Sequence, residues 1–573
     1  MKYPLAPLAW CAAALLLPLS SAAAEKESAP ALPRISQATL QALRLLPIQH
    51  HGRHKPFDSF ARETLQLITG SPRLGTRDPV ETILAIMAEP EHWQAQPLVS
   101  VPFIPLREAL GLDRQASQVS YNDLVATRTL MRMLPAIVEK QRRDEKLSML
   151  EQETMDVFDR FATFSNLVEH RLELVPSQSV SDWNWRSIQQ PEGYPPQKQA
   201  EIRQAWAGWV TALREGDAAS VDAATTRLLS TLQGLNPAAL PPTWKLRLEV
   251  FYNQAHLFRI AQLGYWLAAV LFLIALLRSA ATAIRAERSA ERGGRSAAVA
   301  GVGGAAFAAF ALSAALHVGG IILRVVIGGR PPVSNFFETM LWIPLVGVLL
   351  AFIFERIYRA RYFAFSTALL AAVTLLLSEY VPLDSSISPV VAVLRSNLWL
   401  TIHVLTIVAS YGALALATVL AHVYGVVYLA RSPAAAALES LGTFLYRAIQ
   451  VGVVLLAGGI MLGAVWANAS WGRYWGWDPK ETWALITLLW FIAILHGRFA
   501  GWLTGVGVAL STIGGFFLLL MTYYGVSFYL VGLHSYAGGH AKPLPPLLIA
   551  YLILELSFLI LVGVVAMNRR RVA

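Results

Sequence analysis

The chain has 573 residues, of which 55% are hydrophobic and 15% charged, with a mean hydropathy of +0.47 and a formal net charge of +10. This composition excludes a purely soluble protein and predicts a polytopic membrane protein with a sizeable polar part. Much of the positive charge lies in short loops between apolar segments, which is a topology signal, and no nucleic-acid motif is present. We therefore expect no nucleic-acid partner.

The first 24 residues are predicted to be a secretory signal peptide. Lys2 precedes an apolar core, and the small residues Ala22 to Ala24 precede Glu25. An uncleaved signal anchor is the alternative, and either would export the following segment. The single cysteine, Cys11, lies in this signal, so the processed chain would have no thiol for disulfide formation or thiol exchange.

Residues 25–255 are predicted to form an exported, mainly helical soluble domain. Helical periodicity runs through about 121–175 and 199–235, with a linker rich in Trp, Pro and Gln over 181–197. His50, His51 and His54 do not match the spacing of a compact zinc motif. The segment around them is interpreted as a basic loop before a helix that begins at Ser59.

Residues 260–573 are predicted to form a membrane domain. Apolar segments long enough to span a bilayer lie at about 262–278, 298–327, 338–355, 363–380, 399–430, 448–466, 483–500, 502–523 and 544–566. The predicted fold is thus an all-α polytopic membrane protein of nine transmembrane helices. Arginines concentrate in alternate loops, which places the soluble domain and the loop at 466–483 on the outer side.

The first loop of the outer side also has unusual polar residues. A Gly/Pro turn at 328–332 is followed by Asn335 and by Glu338 at the edge of the next span. This pattern predicts a fixed polar network there.

Residues 471–483 read WGRYWGWDPKETW and contain four tryptophans, Trp471, Trp475, Trp477 and Trp483, which we term the tryptophan platform. Membrane proteins usually place interfacial tryptophans singly. Such a surface suits a large, flat, partly apolar ligand with acidic edges, a description that heme fits. Arg473 and Lys480 would pair with its carboxylates or else contact lipid headgroups or loops.

The Asp-Pro-Lys-Glu run inside this segment also predicts the start of a helix. Asp478 suits the N-cap, Pro479 the first helical position, and Glu481 the third position of a capping box.

Histidines in and beside the spans fall at different depths. His403, four residues into the fifth span, and His534, after the eighth, share the depth of the platform and predict a bis-histidine iron site. At 1.5 Å per residue, His496 lies roughly 20 Å and His317 roughly 16 Å below that face, a candidate second pair. His422, roughly 34 Å down, belongs to the opposite surface.

The platform sequence resembles the tryptophan-rich WWD signature of heme-handling proteins. Four further features accompany it: His403 before the platform, the Leu-His-Gly-Arg run at 495–498 and the Gly-Leu-His-Ser-Tyr run at 532–536 after it, and the Gly-Arg-Pro-Pro-Val-Ser-Asn run from Gly329. In this combination the sequence is similar to the CcsA (ResC) family of system II cytochrome c biogenesis. The resemblance covers residues from about 260 to 570.

The resemblance implies a component of a cytochrome c heme lyase (holocytochrome c synthase) in the bacterial inner membrane, with its platform and soluble domain in the periplasm. His403 and His534 would bind heme b at the outer face, and His496 would belong to a transmembrane heme site on an export path. The heme would be joined to the thiols of a Cys-x-x-Cys-His apocytochrome c kept reduced by a separate thiol-reducing protein. No acid–base catalytic residue is expected.

The chain departs from fused synthases because it lacks a multi-span ResB-like portion. A separate ResB/CcsB-type membrane partner is therefore expected, and the fourth heme ligand would be His317, His422 or a residue of that partner. Two alternatives remain: a system I-type WWD heme-handling protein, and a polytopic transporter or sensor that binds no heme.

Overall fold

The computed structural model describes residues 35–143, 145–179, 181–215, 217–289, 297–381, 383–389, 398–430, 435–534 and 545–572. The predicted signal peptide lies outside these ranges, as do Ser535 and Tyr536 of the Gly-Leu-His-Ser-Tyr run. Over the described residues the fold is almost entirely helical, with two short two-stranded sheets in the part up to residue 120.

The described residues of the N-terminal part pack ten α-helices and two pairs of strands around one apolar core. Its helices are α1 Gln37–Arg44, α2 Phe57–Thr69, α3 Pro79–Ala88, α4 Pro90–Ala95, α5 Ile104–Leu110, α6 Tyr121–Thr127, α7 Thr129–Arg142, α8 Met149–Val168, α9 Pro196–Glu215 and α10 Ala218–Gln233. Its strands are β1 Pro47–His50, β2 Arg53–Pro56, β3 Pro97–Ser100 and β4 Gln118–Ser120. Both strand pairs are antiparallel.

The predicted basic loop at His50–His54 is wrong. These residues form the β1–β2 hairpin, with His50 opposite Arg53, and the next helix begins at Phe57. The two-residue turn has positive φ at His51 (48°) and at Gly52 (69°), which is the backbone of the tight turns that join twisted strands. Polar and apolar residues do not alternate along this segment, so the sequence pattern does not predict its two strands.

The C-terminal part is a bundle of long helices. They are α11 Thr243–Ala255, α12 Leu257–Ser289, α13 Ala297–Gly328, α14 Phe336–Tyr358, α15 Tyr362–Tyr380, α16 Leu398–Leu429, α17 Ala435–Trp471, α18 Pro479–Phe499, α19 Gly505–Leu520, α20 Val526–Tyr529 and α21 Pro546–Val572. A π-helical turn, Met521–Gly525, joins α19 to α20.

Among the described residues, nine helical stretches are long and apolar enough to cross a membrane: α11 with α12, then α13 to α18 singly, α19 through α20, and α21. The predicted nine-span, all-α fold is therefore confirmed. Several helices are longer than the predicted spans, because helical hydrogen bonding continues into their polar ends. The helix of the sixth span, for example, begins at Ala435, thirteen residues before the predicted start of that span.

The polar network predicted around Glu338 is present. Asn335 caps α14 and accepts the backbone N–H of Glu338 at 2.8 Å. Glu338 pairs with Arg324 of α13 at 3.0 Å and with Arg330 at 2.7 Å, and the two arginines also donate to backbone carbonyls of the 383–389 segment. Because each buried charge has its partner, the network fixes this loop to the bundle.

A second ionic contact joins the N-terminal part to the first span. Arg53 of β2 donates to both carboxylate oxygens of Glu249 on α11, each at 2.6 Å, and Ser59 donates to the same carboxylate. The bidentate geometry restricts the orientation of the hairpin against α11.

Candidate functional site

The tryptophan platform connects α17 to α18, and the start of α18 has the predicted cap. Asp478 accepts the backbone N–H of Lys480 at 2.9 Å, Pro479 is the first helical residue, and Glu481 closes the capping box by accepting the N–H of Asp478. Glu481 also accepts the N–H of Gly476 at 2.8 Å. An N-cap of this kind contributes about 1 kcal/mol and holds the loop against the helix end.

The same Asp478 positions His534. The Nδ1 of His534 lies 2.8 Å from one oxygen of Asp478, and the backbone N–H of Leu533 donates to the other at 2.6 Å. A Cβ on Gly532 would lie 2.4 Å from this carboxylate, so the approach depends on glycine. One aspartate therefore both starts α18 and orients the histidine.

The electrostatic state of Asp478 follows from these contacts. Its burial would by itself raise the pKa of the carboxyl group. The hydrogen bonds from His534 and from the backbone amides of Lys480 and Leu533 outweigh burial, so the pKa of Asp478 lies below its ordinary value. The carboxylate is thus ionised at neutral pH and accepts the Nδ1–H of His534.

His403 lies on α16 and faces α17. Its Nδ1 is 2.8 Å from the carbonyl oxygen of Gly459. A Cβ on Gly463, one helical turn further, would lie 2.6 Å from the imidazole carbon Cε1 of His403. Gly463 therefore leaves the space in which this ring lies between the helices.

Trp466 links the two histidines. Its ring is parallel to that of His403, with centroids 6.2 Å apart and 11° between planes, and its centroid is 6.1 Å from that of His534. Trp471 contacts both Trp466, at 4.6 Å, and His534, at 5.2 Å. We call His403, Trp466, Trp471, Asp478 and His534 the paired-histidine site.

Both histidines of this site have the same hydrogen-bond arrangement. In each, Nδ1 contacts an oxygen that can only accept, so Nδ1 carries a proton. Histidines that ligate a metal usually donate one ring N–H to a carboxylate or a carbonyl in this way.

The polar donors at this site suit a ligand with carboxylates. Within the described chain, Nε1 of Trp466 and Nη1 of Arg473 are buried and make no hydrogen bond. The Arg473 guanidinium lies 5.8 Å from the centre of the Trp471 ring and 3.7 Å from Glu481. A buried donor that lacks an acceptor is unfavourable, and an anionic group bound at the platform would supply one.

The other platform residues are arranged differently. Trp475 and Trp477 meet edge to face at 5.7 Å, and Trp477 is 70% exposed on a backbone with φ of 57°. Trp483 is half-buried in α18, where its carbonyl accepts two threonine hydroxyls. Lys480 donates to Ser527 at 2.7 Å, so it joins α18 to α20.

The remaining histidines are placed apart from this site. His317 is fully buried, with Nδ1 3.4 Å from the Tyr265 hydroxyl and Nε2 3.0 Å from the Leu341 carbonyl. His496 is exposed on α18 and bonds through Nδ1 to the Ile492 carbonyl at 2.9 Å. The contacts of these two rings share no residue, so the structure does not bring the candidate pair together.

His422 also has both ring nitrogens occupied. Its Nδ1 contacts the Thr418 carbonyl at 2.8 Å, and its Nε2 contacts the carboxylate of Glu555 on α21 at 2.7 Å. Glu555 also accepts the hydroxyl of Tyr551.

Three residues of the site were not identified from the sequence. Trp466 lies outside the platform, about one and a half helical turns before it. Gly463 and Gly532 have no side-chain functional group that would mark them as part of a site. The available signal was the spacing of Gly459, Gly463 and Trp466 on one face of α17, toward α16.

The chain is similar to known proteins. Residues 333–534 match the family model described as "Cytochrome C assembly protein". Similar proteins are "Protein NrfI" of Wolinella succinogenes, 28% identical over 524 residues, and "Cytochrome c biogenesis protein CcsA" of Prochlorococcus marinus (strain MIT 9301), 34% identical over 249 residues. CcsA of Chlorella vulgaris is 33% identical over 254 residues.

The extent of the matches differs between these relatives. The NrfI match includes 86% of this chain but only 54% of NrfI, so the chain spans about half the length of that relative. The two CcsA matches each include 38% of this chain and 79% or 80% of the relative.

Proposed function

Because the chain belongs to the CcsA family of cytochrome c biogenesis proteins, which handle heme in cytochrome c maturation, we propose that the paired-histidine site holds heme for covalent attachment to apocytochrome c. His403 and His534 are the axial ligands of heme b, and the chain acts as the heme-presenting component of a system II cytochrome c heme lyase.

The observation that carries this proposal is the matched environment of the two rings. In each histidine, Nδ1 contacts an oxygen acceptor, and both rings contact the same tryptophan. Two imidazoles placed in this way are suited to bis-histidine ligation of iron. Arg473 and the Trp466 N–H supply donors for the propionates.

The attachment reaction needs orientation more than acid–base groups. Each substrate thiol adds across a heme vinyl group: the sulfur bonds to the carbon next to the ring, the double bond becomes single, and a proton is added to the terminal carbon. No electron leaves the system, so no oxidant is consumed. The platform contributes by holding the vinyl edge in place for two reduced cysteines, which is catalysis by proximity.

We further propose that His496 ligates a second heme between this chain and a ResB-type partner. The imidazole is exposed on α18, the helix that also carries the exposed side chains of Leu489 and Trp490. An imidazole toward lipid is unfavourable unless a ligand or another protein covers it. Both nitrogens of His317 and of His422 are already hydrogen-bonded, which favours a partner residue as the opposing ligand.

The distribution of arginines supports a location in the bacterial inner membrane with the platform on the periplasmic side. In this orientation, heme taken up at the His496 site moves outward to the platform. The apocytochrome then receives it where a thiol-reducing protein keeps its cysteines reduced.

The experiment is to purify the protein with its partner from heme-replete cells and record the heme spectrum. We expect a low-spin bis-histidine spectrum. In His403→Ala or His534→Ala, heme at the paired-histidine site should fall by more than about tenfold, since even outer-shell partners of metal ligands are worth about 10–100-fold. Added imidazole should restore binding, because it replaces the missing ligand.

His422→Ala is the matched control, because this histidine lies in the same helix as His403 and is engaged with Glu555. It should keep the heme of the paired-histidine site. Normal holocytochrome production in both His403→Ala and His534→Ala would contradict the ligand assignment, and a preparation without heme would contradict the proposed function.

A further inference from the structure

The β1–β2 hairpin of the N-terminal part brings two histidines and a glutamate together. His50 ends β1, His51 is in the turn, and Glu63 lies on α2. One ligand atom from each of these residues lies within 4.8 Å of the other two. This cluster belongs to the soluble part and is separate from the paired-histidine site.

The turn holds the two imidazoles side by side. His51 and Gly52 have positive φ, and the rings of His50 and His51 stack with centroids 3.8 Å apart. A non-glycine residue with positive φ is uncommon, and the hairpin restricts its backbone on both sides. Two adjacent histidines in an extended strand would instead point to opposite faces.

The facing atoms of His50 and Glu63 are spaced for a shared ion. Nδ1 of His50 lies 3.6 Å from a carboxylate oxygen of Glu63, too far for a hydrogen bond. Nδ1 is buried and has no hydrogen-bond partner among the described residues. Two ligand atoms on one tetrahedral zinc ion, each at about 2.0–2.1 Å, are about 3.3 Å apart.

We propose that His50, His51 and Glu63 form a binding site for a divalent transition-metal ion of the zinc class. Two imidazoles and one carboxylate suit such an ion and leave a fourth position for water. Imidazole ligands argue against calcium or magnesium, which take oxygen ligands.

Lys55 is the internal competitor of the metal. It is buried, and its ammonium group pairs with the same oxygen of Glu63 that faces His50. Without a metal, the ammonium supplies the positive charge that a buried carboxylate needs. A divalent ion takes that role, and the Lys55 side chain moves off the carboxylate.

The site lies at the junction with the membrane domain. A Cβ on Gly52 would be 3.5 Å from Pro389, which belongs to the 383–389 segment before α16. Arg324 of α13 and Arg330 of the following loop donate to backbone carbonyls of that segment and fix it to the bundle. A metal that restricts the hairpin would therefore strengthen the contact between the soluble part and the segment before the helix that carries His403.

The test uses the full-length protein, loaded with heme and purified without a polyhistidine tag. After treatment with a chelator and dialysis against zinc, bound zinc is measured by elemental analysis and its affinity by calorimetry. We expect a bound zinc ion in the unmodified chain and an affinity at least about tenfold weaker in Glu63→Gln and in His51→Asn. Asparagine tolerates positive φ, so His51→Asn keeps the turn while removing the imidazole.

His54→Gln is the matched control. His54 lies in the same hairpin but stacks between Trp183 and Trp185, away from Glu63, so zinc binding should not change. Lys55→Met should have the opposite effect on zinc affinity. Zinc should bind about tenfold more tightly, because the competing ammonium group is removed.

Two results would overturn the proposal. One is zinc binding of equal affinity in the unmodified chain, Glu63→Gln and His51→Asn. The other is a Lys55→Met protein that folds, as judged by circular dichroism, and binds zinc no better than the unmodified chain.

Discussion

The paired-histidine site and the interior of the bundle use the same residue type for different purposes. In His403 and His534, Nδ1 contacts an oxygen acceptor, and both rings contact Trp466. His317 and His422 have both nitrogens engaged within the protein: His317 contacts α12 and α14, and His422 contacts its own helix and α21. The shared tryptophan therefore separates the first pair from the second.

The largest expected effect concerns the second heme that we propose at His496. In a complex with the proposed ResB-type partner, His496→Ala should lose this heme, because a ligand is removed, while His317→Ala should keep it. The heme content of the two complexes is compared by their spectra, and imidazole is then added to the His496→Ala complex to replace the missing ligand. If His317→Ala loses this heme and recovers it with imidazole, our separation of the two histidine classes is wrong.

A large effect is also expected when the space beside His403 is filled. In Gly463→Val the new side chain would meet the imidazole, since even a Cβ lies 2.6 Å from it, so heme affinity should fall by about tenfold or more. Gly458→Ala on the same helix is the control, because its Cβ meets nothing within 4 Å. Heme titration of both proteins compares them, and equal affinities would show that His403 does not need its observed position.

An intermediate effect is expected for Asp478→Asn. Asparagine still caps α18, so the helix should form, but the partner of His534 loses its charge. Loss of such an outer-shell partner should weaken heme binding about 10–100-fold and raise the midpoint potential, because a neutral partner makes the imidazole a weaker donor. A redox titration with an unchanged potential would contradict this role of Asp478.

Protonation of Asp478 in acid should lower the stability of the folded chain. The pKa of Asp478 is lowered in the folded chain, so its contribution to stability is present above the ordinary carboxyl pKa and is lost as pH falls through the folded value. Asp478→Asn should lack this acid-side loss. Thermal unfolding followed downward from about pH 5 should therefore show a steeper decline for the unmodified protein.

The smallest effect is expected for Arg473→Gln. An ionic hydrogen bond is worth about 1.5–3 kcal/mol where it forms, and partial exposure of the platform reduces that value. Heme affinity should fall several-fold, with the low-spin spectrum unchanged because both ligands remain. A shift to a high-spin spectrum would mean that Arg473 acts through a histidine instead.

Local signals explain what could be anticipated from the sequence. The nine spans were predictable because twenty apolar residues in a row suffice to identify a membrane helix. The cap at Asp478 was predictable because its three residues are consecutive along the chain. The β1–β2 hairpin was missed, since its turn depends on two φ angles and its partners lie on α2 and α11.

The sequence alone determined the fold class, the tryptophan platform and the two histidines beside it, because these depend on composition, spacing and depth along single helices. Only the tertiary structure decided that both ring nitrogens of His317 and of His422 are engaged, that Trp466 lies between His403 and His534, and that His50 and His51 face Glu63. Those contacts join residues far apart in the chain, and their geometry follows from helix packing at glycine and from one tight turn, which no local periodicity encodes.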